Sequence, residues 1–470
     1  MKNIWSRYKI EIIIFLIALV ARLALFGVVF AHNDANLLDT IHGDDGYYEL
    51  SQGILNGHGM TWDVAPPFDP NPLRPPVWPY LIAFFAGTFG TYWAVFIFEV
   101  ILGASIPVLA YRLGGMIFGR RIGKWIAGIM CVEPYLMLFS IILYTETSFM
   151  FFFLISLIFL FRYIEKPTMR GGLFFGLTLG IATMVKPTVE YAPILVPIAL
   201  AIMWRARFKG EEGRRFLKEF VKQSVIFLCA FLIVIAPWLY RNHETFGVWG
   251  MSAQPAFNLY VYLVPTILAI DKGTNFQTEY QSFVKASGFD ENSITLANGE
   301  IYKSRAFDVI RDHKVALVKS ALITAVTFFT HDGMLTFLGY SGVSIPNVVS
   351  KPAIQLLAHP IELARTMWAY ATSPAVLIIL MRLFWIVVTL FFVFGAYRYI
   401  RREGAKSAAI MALLVILYFA ATTAINGFGV NARFRMPVDA LILGFALFGL
   451  FSLKSHNTRT EIAPEIARAR

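Results

Sequence analysis

Residues 149–161 read FMFFFLISLIFLF, a run in which Ser156 is the single polar side chain. It has no polar stripe to turn toward water, so its partner must be apolar on every side, and lipid meets that need. A bilayer core takes about 20 mostly apolar residues per helix. Working outward from this run, comparable stretches fall at 12–30, 94–118, 125–143, 148–164, 172–185, 191–204, 223–240, 376–397, 408–425 and 437–453. Two further segments are ambiguous. VWPYLIAFFAGTFG, from Val77, is too short to cross and reads as a helix lying at the interface. The stretch from Val315 to Leu338 is long enough but is interrupted by His331-Asp332-Gly333.

Composition agrees. Of 470 residues, 57% are hydrophobic and 15% charged, and the mean hydropathy is +0.62. A soluble domain carries about 25% charged residues. The fold expected is an all-α polytopic membrane protein with about 10–12 transmembrane helices and juxtamembrane helices on the outer face. The two cysteines, Cys131 and Cys229, lie inside apolar stretches and outline neither a disulfide framework nor a metal site.

The formal charge of +11 is concentrated in short loops. Arg120, Arg121 and Lys124 share one side with Arg162, Lys166 and Arg170 if the Val77 segment does not cross. The cluster from Arg205 and Arg207 to Lys222, then Arg398 to Lys406, and finally the basic tail fall on that side too. The positive-inside rule then places both termini inside. This basicity is a topogenic and lipid-facing feature and not a nucleic-acid surface. The expected organisation is a membrane module over 1–240 with an acidic first outer loop at 31–76, an outer loop or cap at 241–314, and a second membrane module at 315–470.

Chemistry is expected where the outer loops meet the membrane. The first loop opens with GDDGYYELSQGILNGHG from Gly43. Adjacent Asp44 and Asp45 suit proton acceptance from a hydroxyl or binding of a divalent cation, or else they cap a helix N-terminus. Glu146, in LYTETSFMFFF, is a second acid at the membrane boundary and could equally cap the span that follows. Arg74 precedes Pro75-Pro76, Lys186 precedes Pro187, Arg241 and Asn242 close PWLYRN, and Arg433 and Arg435 lie in NARFRMPVDAL. These cations stand on the side where the charge rule disfavours them. They either anchor helices by snorkelling or form a phosphate-binding ring. No HExxH, P-loop or GxGxxG is present.

The order of these pieces resembles the GT-C-type glycosyltransferases, in particular the protein O-mannosyltransferase and lipid A aminoarabinose-transferase group. The resemblance runs from about residue 10 to 453. It rests on GDDGYYELSQGILNGHG, RPPVWPYLIAFFAGTFG, TETSFMF, VKPT, PWLYRNHETFG and ARFRMPVDALILG, in that order. It implies transfer of a sugar from a polyprenyl-phosphate donor to a glycan, lipid or protein acceptor on the outer face, with a bacterial inner membrane as the expected location. Asp44 matches the family's catalytic aspartate, with Asp45 and Glu146 at its other acidic positions. Tyr47, Tyr48, Arg74, Lys186, Arg241, Asn242 and Arg433 or Arg435 match substrate-binding positions. Leu73 stands where the aminoarabinose enzymes carry an acid implicated in metal binding, so that site is not carried over. No cofactor is assigned by this reading, and a divalent cation is left open. A transporter or flippase for a lipid-linked or anionic solute is the alternative from another class; it would use the same cations to capture phosphate.

Overall fold

The computed structural model describes residues 2–205, 209–289, 294–346, 360–403 and 407–454. Arg207, Lys406 and the basic tail beyond Lys454 lie outside the described residues. Among the described residues the chain is helical without strands. Its long helices are α1 (Lys2–His32), α2 (Tyr47–Leu55), α3 (Val77–Phe89), α4 (Tyr92–Phe118), α5 (Arg120–Val132), α6 (Glu146–Glu165) and α7 (Met169–Val185). They continue as α8 (Ala192–Trp204), α9 (Gly210–Phe246), α10 (Gly299–Asp312), α11 (Lys314–Thr330), α12 (Val376–Glu403), α13 (Ser407–Thr423) and α14 (Asp439–Lys454).

Eight helices among these are long and apolar enough to cross a membrane, and the pair α10 and α11, bent by 102°, makes a ninth if taken as one span. The expected span at 125–143 is the clearest difference. Helix α5 stops at Val132 because Pro134 has no N–H to continue it, and the Glu133 carboxylate instead accepts the Leu136 N–H at 2.6 Å. The expected span at 172–185 is α7, 17 residues long, which covers about 25 Å at 1.5 Å per residue. The ambiguous segment at Val315 resolves into α11, a break at His331-Asp332-Gly333, and a short helix at Met334–Tyr340.

Glycine lets the helices approach one another. Gly172, Gly176 and Gly180 recur every fourth residue on one face of α7, against Gln223, Phe227 and Val234 of α9. A β-carbon on that stripe would meet the α9 backbone at Gly172 and Gly176 and the Val234 side chain at Gly180, so close packing replaces the hydrophobic drive that lipid removes. Arg22, completely buried in α1, is held as a clamp between helices. Its Nε donates to Ser140 Oγ at 3.0 Å, and its Nη1 to the carbonyls of Ala18 at 3.1 Å and Cys131 at 3.3 Å. A separate small core formed by Ala256, Phe257, Tyr260, Val284 and Ile294 packs onto Leu73 and Trp62 of the first loop.

Candidate active site

The acidic loop is built by two glycines. Asn36 caps a single helical turn, Leu37–Ile41, and the Ile41 carbonyl accepts the Leu143 N–H at 2.7 Å, which ties the loop to the segment entering α6. Gly43 and Gly46 have φ of +69° and +74°, which β-carbon-bearing residues seldom adopt. A β-carbon on Gly43 would also stand 2.7 Å from the Tyr144 ring, and one on Gly46 2.6 Å from Trp62 Nε1. These two turns set Asp44 and Asp45 at the N-terminal end of α2.

The two aspartates have different surroundings. Asp44 is exposed; its backbone N–H donates to Tyr144 Oη at 3.1 Å, and its carboxylate has no partner among the described residues. Asp45 faces two guanidinium groups, with Arg74 Nη2 at 3.5 Å and Arg433 Nη1 at 3.3 Å. Arg433 also places Nε 3.6 Å from Glu146 Oε1, and the same oxygen accepts from Lys186 Nζ at 2.7 Å. Three cations from distant parts of the chain thus share two carboxylates.

Each cation has its own local support. Asn71 Oδ1 accepts the N–H groups of Leu73 at 3.0 Å and Arg74 at 2.9 Å, folding the chain before Pro75-Pro76 into a turn that aims Arg74 inward. Its guanidinium lies over the Tyr47 ring at 5.3 Å. Lys186 terminates α7, with Pro187 preventing continuation. Asn431 caps the short turn carrying Arg433, whose guanidinium lies near the rings of Tyr144 at 5.8 Å and Phe434 at 5.5 Å.

Electrostatics keep the cluster charged. Burial opposes the charge on Arg433, but Asp45 and Glu146 outweigh it and raise the guanidinium above its ordinary value. For Arg74 burial likewise acts downward, and Tyr47 and Asp45 carry it upward. Burial, helped by Asp45, pushes the Tyr144 hydroxyl up, and burial takes Tyr47 to about 12 against the pull of Arg74. Both phenols remain protonated donors.

The other expected residues lie apart from this cluster. Arg435 is completely buried and pairs with Asp439 at 2.8 Å, so of the two arginines it is Arg433 that faces Asp45 and Glu146. Arg241 lies over Trp238 at 4.6 Å and Phe246 at 5.3 Å and donates to Asn242 Oδ1 at 2.8 Å. Asn242 Nδ2 in turn donates to the Gly250 carbonyl at 2.7 Å, fastening the end of α9 to the following loop. Tyr48 turns away from Asp45 toward Tyr92 and His42, with ring centroids at 5.2 and 5.0 Å. Tyr144 and Asn71 join the site without having been singled out from the sequence.

Among the described residues no group of three or more His, Cys, Asp or Glu side chains is placed to hold a metal ion. Asp45 already faces two arginines, so the residues present do not fit a divalent-cation site.

The fold is that of an all-α polytopic membrane bundle, GT-C-like in architecture. Residues 73–240 match the model of the dolichyl-phosphate-mannose-protein mannosyltransferase family. The apo oligosaccharyltransferase of Archaeoglobus fulgidus shares the fold, with a TM-score of 0.51 at 15% identity over 96% of this chain and 51% of that one. AglB, an archaeal oligosaccharyltransferase from Archaeoglobus fulgidus in complex with an inhibitory peptide and a dolichol-phosphate, aligns over 98% of this chain and 53% of its own at 14% identity and TM-score 0.49. ArnT from Cupriavidus metallidurans bound to undecaprenyl phosphate aligns over 96% of this chain and 80% of its own, at 14% identity and TM-score 0.39. The chain spans about half the length of the oligosaccharyltransferases it matches. No curated protein matches it by sequence.

Proposed function

We propose that the protein transfers one glycosyl residue from a polyprenyl-phosphate-linked sugar to an acceptor at the outer face of a bacterial inner membrane. The acceptor is a glycolipid, a polysaccharide or a protein. The observation that carries this reading is the convergence of Arg74, Lys186 and Arg433 on Asp45 and Glu146, beside the uncommitted carboxylate of Asp44. Three cations facing two carboxylates leave positive charge for a phosphate, and they are fixed in place before it arrives.

In this mechanism the acceptor hydroxyl attacks the anomeric carbon as Asp44 takes its proton, and the bond from that carbon to the phosphate oxygen breaks in line. The polyprenyl phosphate leaves as an anion held by the three cations, and the anomeric centre inverts. Asp45 and Glu146 orient those cations. The chain 241–314 is read as a cap over the acceptor side, since its core packs on Leu73 next to Arg74. The flippase alternative expects charged residues mid-membrane and broken helices in both halves; among such charges Arg22 is tied down by three hydrogen bonds.

The test is to incubate the purified, detergent-solubilised protein with a defined polyprenyl-phosphate sugar and candidate acceptors. Release of polyprenyl phosphate together with a glycosylated product of inverted anomeric configuration supports the reading. Movement of intact donor across reconstituted vesicles without release, or a retained configuration, overturns it.

A further inference from the structure

Arg433 reaches the acids from a chain of short 3₁₀ turns between α13 and α14, held internally by single bonds such as Arg435 N–H to the Ala432 carbonyl at 3.0 Å. Contacts from outside these turns place the segment against the rest of the bundle. Two residues on, Arg435 is completely buried with its guanidinium 3.4 Å from the centre of the Trp385 ring. Its Nε donates to Asp439 Oδ1 at 2.8 Å, and its Nη1 to the carbonyls of Phe328 at 3.3 Å, Phe329 at 3.2 Å and His331 at 2.7 Å. Those are the free carbonyls at the C-terminal end of α11, where a cation is favoured.

The same helix end holds the other side of Arg433. The His331 ring Nδ1 lies 3.2 Å from the Ala432 amide and 3.0 Å from the Gly333 amide, and since both are donors Nδ1 is the acceptor. The segment bearing Arg433 is therefore gripped on both flanks by one break in the chain, His331-Asp332-Gly333. That break is itself anchored, because Asp332 pairs with Arg382 of α12.

We propose that Arg435 is a positioning residue: docked on the broken end of α11 with His331, it sets Arg433 against Asp45 and Glu146. It touches neither substrate nor the acids of the site. This rests on the reading of Arg433 as a donor-phosphate ligand. Misplacement of a group by about 1 Å costs on the order of a hundredfold, so a small slip of the turn is enough to matter.

The experiment is a double-mutant cycle between Arg433→Met and Arg435→Lys, read as the apparent donor KM and kcat of the purified enzyme alongside its thermal midpoint. Lysine keeps the charge opposite Asp439 but loses the fork that spans the helix-end carbonyls. Arg435→Lys is expected to raise donor KM by on the order of tenfold to a hundredfold, and to add nothing once Arg433 is Met. Additive effects in the double variant overturn the proposal. Should Arg435→Lys fail to fold, the pair His331→Asn and His331→Leu carries the test. Asparagine offers an acceptor oxygen near the Nδ1 position and is expected to keep donor KM near the parent value, whereas leucine raises it. Equal kinetics for the two overturn the proposal. A normal donor KM in Arg433→Met alone overturns the earlier assignment of Arg433 instead.

Discussion

Lys186 Nζ stands 2.7 Å from Glu146 Oε1, and the glutamate side chain is 3% exposed while the lysine is 21% exposed. The carboxylate depends on its cations to remain ionised in that setting, and Arg433 at 3.6 Å is a longer second partner. Removing one member of a buried pair costs about 3–5 kcal/mol because it strands the other. Lys186→Met is therefore expected to lower thermal stability, by less than that range because Arg433 remains. Lys186→Met combined with Glu146→Gln should recover part of the loss. Unfolding midpoints of the parent and the two purified variants check this, and a double variant less stable than Lys186→Met contradicts it.

Asp44→Asn is expected to abolish most turnover at unchanged stability. The carboxylate is exposed and has no partner among the described residues, so amidation removes a proton acceptor and no structural bond. General-base catalysis contributes about 10²–10⁴-fold, which sets the size of the loss. The helix-cap reading of this residue instead expects lost stability with retained turnover. Both quantities measured on one sample decide the matter.

Arg74→Met and Arg433→Met should each raise the donor KM more than Arg241→Met does. The first two face Asp45, whereas Arg241 is stacked between aromatic rings at the end of α9. A charged hydrogen bond is worth about 1.5–3 kcal/mol, so each loss corresponds to roughly tenfold or more. Steady-state kinetics across donor concentration gives the comparison. An equal rise for Arg241→Met would extend the phosphate site to that helix end.

Stability of the segment around Glu279 should fall in acid. Burial alone would raise this carboxyl, but bonds from Lys272 at 2.7 Å and Thr274 at 2.8 Å carry it below the ordinary value. A carboxyl lowered in the folded state stabilises that state above its unfolded pKa of about 4.3. The contribution is lost as pH falls through the lower folded value. Amide hydrogen exchange over residues 272–284 should accelerate in that window in the parent. The pH-dependent part should be missing in Glu279→Gln, and equal acid sensitivity in both proteins would refute the assignment.

Hydropathy was enough to recover the bundle, because the bilayer imposes length and composition directly on the spans. It misjudged 125–143, where the apolar tally is high but Glu133 and Pro134 end the helix by a local hydrogen bond and a missing donor. The three cations facing the acids were legible from being polar groups on the disfavoured side of a membrane. The choice of Arg433 over Arg435 was not, since it depends on the short 3₁₀ turns that carry them. With three residues per turn, positions two apart point well away from each other. Tyr144 and Asn71 were hidden for a different reason: each acts through a contact created by folding, and neither type is unusual at a membrane boundary.

The ion pair between Asp45 and Arg433 joins residues 388 positions apart. At about 5–20 residues per second of synthesis, roughly 20–80 s separate the emergence of the acid from that of the arginine which completes its surroundings. During that interval the acidic loop and most of the spans exist without the arginine that faces Asp45 and Glu146. On the proposed reading, synthesis withholds the charge assigned to donor binding until nearly the whole bundle has been made. A chain stalled before that point carries Asp45 without Arg433, and on the proposed reading it is expected to be inactive.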